Sequence, residues 1–389
     1  MRRMAFRLIQ SPPFQTRLPP VQKLLPGAAG CARVRGMKSE HRRPRHFGSD
    51  NYAGICPEAF AALTAANADH ATSYGDDPWT ARANQLISQV LGRPCEVFFV
   101  FSGTAANSLA LAALCQSYHG ILCHQHAHVE VAECSGPEFF TNGAKLLLVP
   151  GEDGKMTPDE LARSARRRDD VHYPRPKALS LTQATEMGTV YTPAELRALT
   201  ATARELGLRV HLDGARLANA VAALGVAPGE ITGEAGVDVL SFGLTKNGLA
   251  VGEAVVFFDP ELARDFGYRR KQAGQLASKL RFLSAPWVGM LEDGAWLRHA
   301  AHANSMAARL AAGLRPLAAV EIAFPVQTNV VFARMAEPVV AALHGRGWHF
   351  YTHVPPGTCR LMCSWDTTAG DVDEFVADVR EVTADGAII

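Results

Sequence analysis

Lys246 and Asp213 are the residues of this chain best set to do chemistry together. Lys246 closes the run VDVLSFGLTKN (237–247), and Asp213 ends the apolar part of VHLDGAR (210–216). Each run is a short apolar stretch that leads into a loop offering one charged side chain. A lysine amine can hold an aldehyde as a Schiff base, and a buried carboxylate can keep a pyridine nitrogen protonated. Pyridoxal phosphate, an electron sink for carbanions, asks both of its protein. It also needs a phosphate seat, and FSGTAANSLALAALC (101–115) offers one. There Gly103 permits a tight turn after an apolar run, and a helix begins at once. The free N–H groups and positive dipole end of that helix suit a phosphate dianion, with the hydroxyls of Ser102 and Thr104 as further donors. Each part alone has an ordinary reading: a Ser-Gly-Thr helix start, an aspartate capping the next helix, a solvated lysine. The small or apolar neighbours of Lys246 (Phe242, Gly243, Leu244, Gly248, Leu249) argue against the last. Three parts in this order make a case that no single part makes.

Histidines crowd the run CHQHAHVEV, at 124, 126 and 128. On a strand this spacing would point three imidazoles one way and invite a metal. No acidic or cysteine partner stands at ligand spacing, so no metal site is expected, and an imidazole stacked on a pyridine ring suits His128 better. His172, in DDVHYPRPK, is a second residue for proton transfer, because imidazole titrates near neutrality.

The elements that must position these residues follow from pattern. Apolar runs at 95–101, 145–150, 177–184, 209–213, 237–243 and 252–258 alternate with helical sequence. Thr157-Pro158 and Thr192-Pro193 open two of the helices, with proline in the first turn. Strands buried on both faces and spaced by single helices imply an α/β fold, a mostly parallel sheet flanked by helices. Its ligand belongs at the carboxyl ends of the strands. The loops of Gly103, Asp213 and Lys246 all lie at such ends. Beyond residue 290 the pattern changes to a long Ala-rich helix, short strands (319–324, 328–335, 348–354, 360–365) and helices between and after them. The expected division is an extension at 1–45, a large cofactor-binding domain at 46–290 and a smaller C-terminal α+β domain at 291–389.

Composition bounds the rest. The chain has 389 residues, 48% hydrophobic and 20% charged, with a formal net charge of +1. That balance gives no reason to expect nucleic acid or an acidic membrane as partner. No apolar run is long enough for a membrane span. Eight cysteines are scattered without a C-x-x-C pair, as expected of reduced thiols in a cytoplasmic protein. The first residues are rich in Arg and Pro and carry no acid before Glu40. They read as a disordered or mis-called extension upstream of Met37, dispensable for activity, with a transit peptide as the alternative.

Residues 46 to about 385 resemble the threonine aldolase and β-eliminating lyase family of fold-type I, aspartate aminotransferase-like pyridoxal phosphate enzymes. The motifs are SDNYAG (49–54), YGDDPW (74–79), SGTAAN (102–107), AHVEVAECSG (127–136), DGAR (213–216) and LTKNGLAVGEAVVFF (244–258). The TKNG form and the WHFY…CRLMCSW ending look most like the bacterial low-specificity L-threonine aldolases. The resemblance implies a seven-stranded sheet and retro-aldol cleavage of β-hydroxy-α-amino acids to glycine and an aldehyde. It implies Lys246 as the cofactor's lysine, Asp213 at the pyridinium, Gly103 and Thr104 at the phosphate and His128 on the ring. His172 would approach the substrate hydroxyl, and Ser49, Arg216 and Arg360 would hold the substrate carboxylate. Tyr74 would line a site shared with a neighbouring subunit of a homodimer or homotetramer. Where many relatives have an Asn-Thr-His type segment, this chain has Gln183-Ala184-Thr185-Glu186. Scaffold alone leaves β-elimination, phenylserine-type cleavage, racemisation and transamination open.

Overall fold

The computed structural model describes residues 44–166, 170–353 and 356–384. The expected extension at 1–45 lies almost wholly outside them, as does the expectation that residues up to Met37 are dispensable. Seven strands form the main sheet: β1 (Glu96–Val100), β2 (His119–His124), β3 (Lys145–Val149), β4 (Arg175–Thr182), β5 (Arg209–Gly214), β6 (Val239–Phe242) and β7 (Glu253–Phe257). Their order is β1-β7-β6-β5-β4-β2-β3. The run β6-β5-β4-β2-β3 is parallel, and β7 is antiparallel to both of its neighbours. Every residue of β2, β6 and β7 is buried, which is why those segments read as continuous apolar runs rather than alternating ones.

The histidine run crosses the end of a strand: β2 stops at His124. The chain turns there because His124 Nδ1 accepts the His126 N–H at 3.1 Å and the Ala127 N–H donates to the His124 carbonyl at 2.9 Å. His128 instead starts a helical turn, His128–Val131. The three imidazoles therefore do not face one way. Both Thr-Pro helix starts are present as capping boxes, Thr157 with Glu160 and Thr192 with Glu195. Such caps stabilise by about 1 kcal/mol each.

Four more strands, β8 (Glu321–Ile322), β9 (Val330–Arg334), β10 (Tyr351–His353) and β11 (Pro356–Met362), make a second, antiparallel sheet in the order β10-β11-β9-β8. Its residues alternate in destination. Val331, Ala333, Cys359 and Leu361 join the core under the helices Ala295–Leu314 and Ala369–Ala384, while Val330, Phe332 and Met362 pack on the other face. Seven described cysteines are free thiols. Among the described residues no helix is long and apolar enough to cross a membrane.

Candidate active site

The parallel strands and β1 run the same way, so their carboxyl ends share one edge of the sheet. Three of the loops that leave this edge meet around a cavity of about 290 Å³, small for a ligand pocket. After β1, Ser102 caps helix Gly103–Leu114, its hydroxyl accepting the Ala105 N–H at 3.3 Å. Ser102, Gly103 and Thr104 line the cavity at that helix start. A Cβ built on Gly103 would meet no protein atom within 4 Å, so the glycine faces open space where backbone N–H groups can approach a ligand.

Asp213, at the end of β5, is only 3% exposed. Its Oδ1 accepts the Ala215 N–H and its Oδ2 accepts from Asn107 Nδ2, both at 3.0 Å. The same Asn107 amide donates to Glu133 Oε1 at 2.8 Å, and Glu133 Oε1 lies 2.8 Å from His128 Nδ1. Asp213, Asn107, Glu133 and His128 are thus one connected network, of which Asp213, Asn107 and His128 line the cavity. Burial pushes the Glu133 carboxyl up, and the hydrogen bond that Glu133 accepts from His128 pushes the imidazole above its ordinary value.

Lys246 sits in a 3₁₀ turn, Thr245–Asn247, directly after β6. The turn is held from three sides. Glu253, buried at the start of β7, accepts the Leu244 N–H at 2.9 Å. Asn247 Nδ2 donates to the Trp296 carbonyl at 2.7 Å. Gly248 has φ +113°, and a Cβ there would fall 2.9 Å from that of Cys56, so glycine is required on both counts. This support leaves the lysine side chain to line the cavity.

The segment Gly48–Asn51 borders the site. Asn51 lines the cavity, Ser49 is buried with its hydroxyl accepting the Asn51 N–H, and the Gly48 carbonyl accepts from Arg360 Nη2 at 3.1 Å. Arg360 Nε is buried and has no hydrogen-bond partner among the described residues. A buried guanidinium donor without a partner is costly unless a ligand meets it, and a carboxylate fits its fork. Arg216 differs from its expected role. Its Nε and Nη2 grip both Asp50 oxygens at 2.7 and 3.0 Å, with Asn329 on the same carboxylate. Burial raises the Asp50 carboxyl, but the Arg216 charge and hydrogen bonds, with smaller help from Lys246 and Asn329, together hold the group below its ordinary value. Two of the Arg216 donors are therefore spent inside the protein, and Arg216 does not line the cavity.

Ser49 and Arg360, like Arg216, are not among the residues that line the cavity, and two more expected residues, His172 and Tyr74, lie apart from it. His172 precedes β4 at its amino end, exposed, with its N–H on the Asp170 carboxylate. A strand the length of β4 spans roughly 25 Å, so His172 sits at the opposite edge of the sheet from Asp213. Tyr74 is exposed, with φ +62°, and the Lys271 ammonium stands 4.8 Å from its ring centroid. It lines a separate basic hollow with Arg264, Arg270 and Lys271. Conversely, Asn107, Glu133 and Glu253 were not singled out from the sequence. The one available signal was Asn107, a polar residue inside an otherwise Ala- and Leu-rich buried helix.

Comparison with known proteins places the chain in a family. The family model described as beta-eliminating lyase matches residues 46–338. The low specificity L-threonine aldolases of Pseudomonas sp. (strain NCIMB 10558) and Pseudomonas aeruginosa are each 58% identical to this chain over 338 residues, 87% of the chain and 98% of the relative. The solved Leishmania major threonine aldolase superposes with a TM-score of 0.82 at 29% identity, covering 87% of this chain and 100% of that one. With the family model spanning both the lysine loop and the phosphate-type helix start, the chain belongs to the beta-eliminating lyase family.

Proposed function

We propose that the protein is a pyridoxal phosphate-dependent aldehyde-lyase that cleaves L-threonine, L-allo-threonine and related β-hydroxy-α-amino acids to glycine and an aldehyde. The observation that carries this is the convergence of Lys246, Asp213 and the Gly103 helix start on one cavity. The choice of aldol cleavage over elimination or racemisation follows its Pseudomonas relatives, similar along nearly their whole length. When bound, pyridoxal phosphate supplies the sink for the electrons of the breaking Cα–Cβ bond. Lys246 would hold its aldehyde, the helix start at Gly103 and Thr104 its phosphate, Asp213 its ring nitrogen, and His128 one face of the ring. Arg360 and Ser49 orient the substrate carboxylate and so fix which Cα bond is aligned for cleavage. His128 takes the β-hydroxyl proton, a role His172 is too distant to share within one chain. The direct test is a product assay of the holoenzyme with L-threonine. Glycine and acetaldehyde in equal amounts are expected; an epimerised amino acid or a keto acid without glycine would overturn the reading.

The His128–Glu133 pair gives a pH prediction. Glu133 raises the His128 pKa, so Glu133→Gln lowers it. Neutral imidazole is the proton acceptor, so activity is gained as pH rises through that pKa. The acidic limb of kcat/KM should therefore move to lower pH in the variant. A limb that stays put, or moves up, removes His128 from the proton transfer.

The working unit is a homodimer or homotetramer with sites at a subunit boundary, in the cytoplasm. Support comes from the rim of the cavity. Ala250 and Val251 line both the cavity and an adjoining hollow shared with Leu63, Phe282 and Pro286. Exposed Tyr52, Phe60, Phe101 and Val251 make an apolar surface that suits a second copy. Tyr74, exposed and outside its own chain's cavity, is free to serve the partner's. Mixing inactive Lys246→Ala with inactive Tyr74→Ala subunits under exchange should restore activity. A mixture that stays inactive despite exchange, or an active monomer by light scattering, counts against shared sites. Buried free thiols at Cys56, Cys115, Cys123, Cys359 and Cys363 fit a reducing compartment. The two sheets fit a large domain at 46–290 and a smaller one at 291–389.

A further inference from the structure

Behind the lysine loop, on the side away from the cavity, three side chains of different chemistry converge. Cys56 stands just before the helix Pro57–Ala66, Glu58 lies in its first turn, and His299 comes from the helix Ala295–Leu314. The Cys56 sulfur, a Glu58 oxygen and a His299 ring nitrogen all lie within 4.8 Å of one another. Two of them already meet, His299 Nε2 and Glu58 Oε2, at 3.0 Å. The Cys56 thiol meets the Met290 sulfur at 3.2 Å, a weak contact that a metal–sulfur bond would replace.

We propose that Cys56, Glu58 and His299 form a binding site for a thiophilic divalent cation, zinc(II) in particular. A thiolate, a carboxylate and an imidazole are the three ligand types that zinc takes, whereas magnesium and calcium demand oxygen. Ligand atoms around a tetrahedral zinc stand roughly 3.5 Å apart, given bonds of about 2.0–2.3 Å. Closing from the present spacing calls for movement of Glu58 and His299, the two partly exposed side chains of the three. Solvent access is present, since these side chains are 27% and 16% exposed while Cys56 is fully buried. The ion therefore has an entry path, and its fourth position falls to water. The nearest competing cation is Arg298, whose Nη2 is 3.6 Å from Glu58 Oε1 on a side chain 55% exposed. Such a surface pair is weak and readily displaced. As the metal–sulfur bond forms, the thiol proton passes to solvent.

The position gives the site a consequence. The Cys56 N–H donates to the Gly248 carbonyl at 2.8 Å, one support of the Lys246 turn. Trp296, which accepts from Asn247, lies one helical turn before His299. A bound ion ties these two supports to each other, so it acts as a staple on the lysine loop rather than as a reactant.

The test uses metal-stripped, cofactor-loaded enzyme titrated with zinc(II) by calorimetry, and with cobalt(II), whose visible ligand-field bands report tetrahedral thiolate coordination. The wild type should take up one tight equivalent per chain and gain thermal stability that saturates with it. Cys56→Ser and His299→Ala, shown folded by circular dichroism, should weaken binding by more than the roughly 10–100-fold of losing an outer-shell partner. Cys134→Ser, which removes an exposed thiol elsewhere, should leave binding unchanged. No tight equivalent in the wild type, or one that survives both substitutions, overturns the proposal. If those two variants fail to fold, the wild-type cobalt spectrum decides: without thiolate bands there is no site.

Discussion

Replacing Lys246 with alanine should abolish turnover, by roughly 10⁴–10⁶-fold, the scale seen on removing a covalent nucleophile. The protein should stay folded. The turn around Lys246 is held by the Glu253 carboxylate, the Asn247 amide and the glycine at 248, none of which depends on the lysine ammonium. Among the described residues Lys246 Nζ has no hydrogen-bond partner, so its removal strands no buried group. Borohydride reduction of the wild type followed by mass spectrometry should place the cofactor on the peptide containing residue 246. The competing lysines are poorly set. Lys177 lies near the amino end of β4, away from the cavity, and Lys279 is exposed. Attachment at either would sink the assignment.

The legible part of this site is the part that strand polarity controls. Gly103, Asp213 and Lys246 each follow an apolar run, and in a parallel sheet such positions must share an edge. The same rule speaks against His172, which stands before its strand rather than after it; its imidazole chemistry suggested the residue, and strand direction places it at the far edge. The three histidines share no common face, because one turn of backbone bonding at His124 ends β2 before His126. Asn107 and Glu133 were illegible for a different reason. Their role exists only when the helix Gly103–Leu114 and the loop after β2 are packed against β5; Asn107 stands out as polar in an apolar helix, but nothing local says what it meets. Arg216 shows a further limit: its type suits a carboxylate, but only the fold reveals that Asp50 is the carboxylate it holds. The Cys56, Glu58 and His299 cluster joins residues up to 243 positions apart in sequence, counting from 56 to 299, so the spacing argument that set metals aside did not reach it.

Replacing Asp213 with alanine should lower turnover by roughly 10²–10³-fold, the scale of losing one preorganised electrostatic group, while the substrate KM changes little. The reasoning rests on what surrounds the carboxylate. It is nearly fully buried, yet both of its oxygens accept hydrogen bonds, one from the Ala215 backbone and one from Asn107. Those two donors fix how the carboxylate points. A buried anion fixed at the cavity wall holds a proton on a ring nitrogen, and that proton matters most when charge flows into the ring, hence the effect on turnover rather than on binding. The phosphate seat at Gly103 and the amine of Lys246 are separate contacts, so the cofactor should remain bound and visible in the absorption spectrum. Asn107→Leu, which removes one donor but keeps the carboxylate, should act in the same direction and less strongly. Near-normal turnover in the Asp213→Ala protein, with cofactor bound, would take Asp213 out of the mechanism and leave the Asp213–Asn107–Glu133–His128 network a purely structural one.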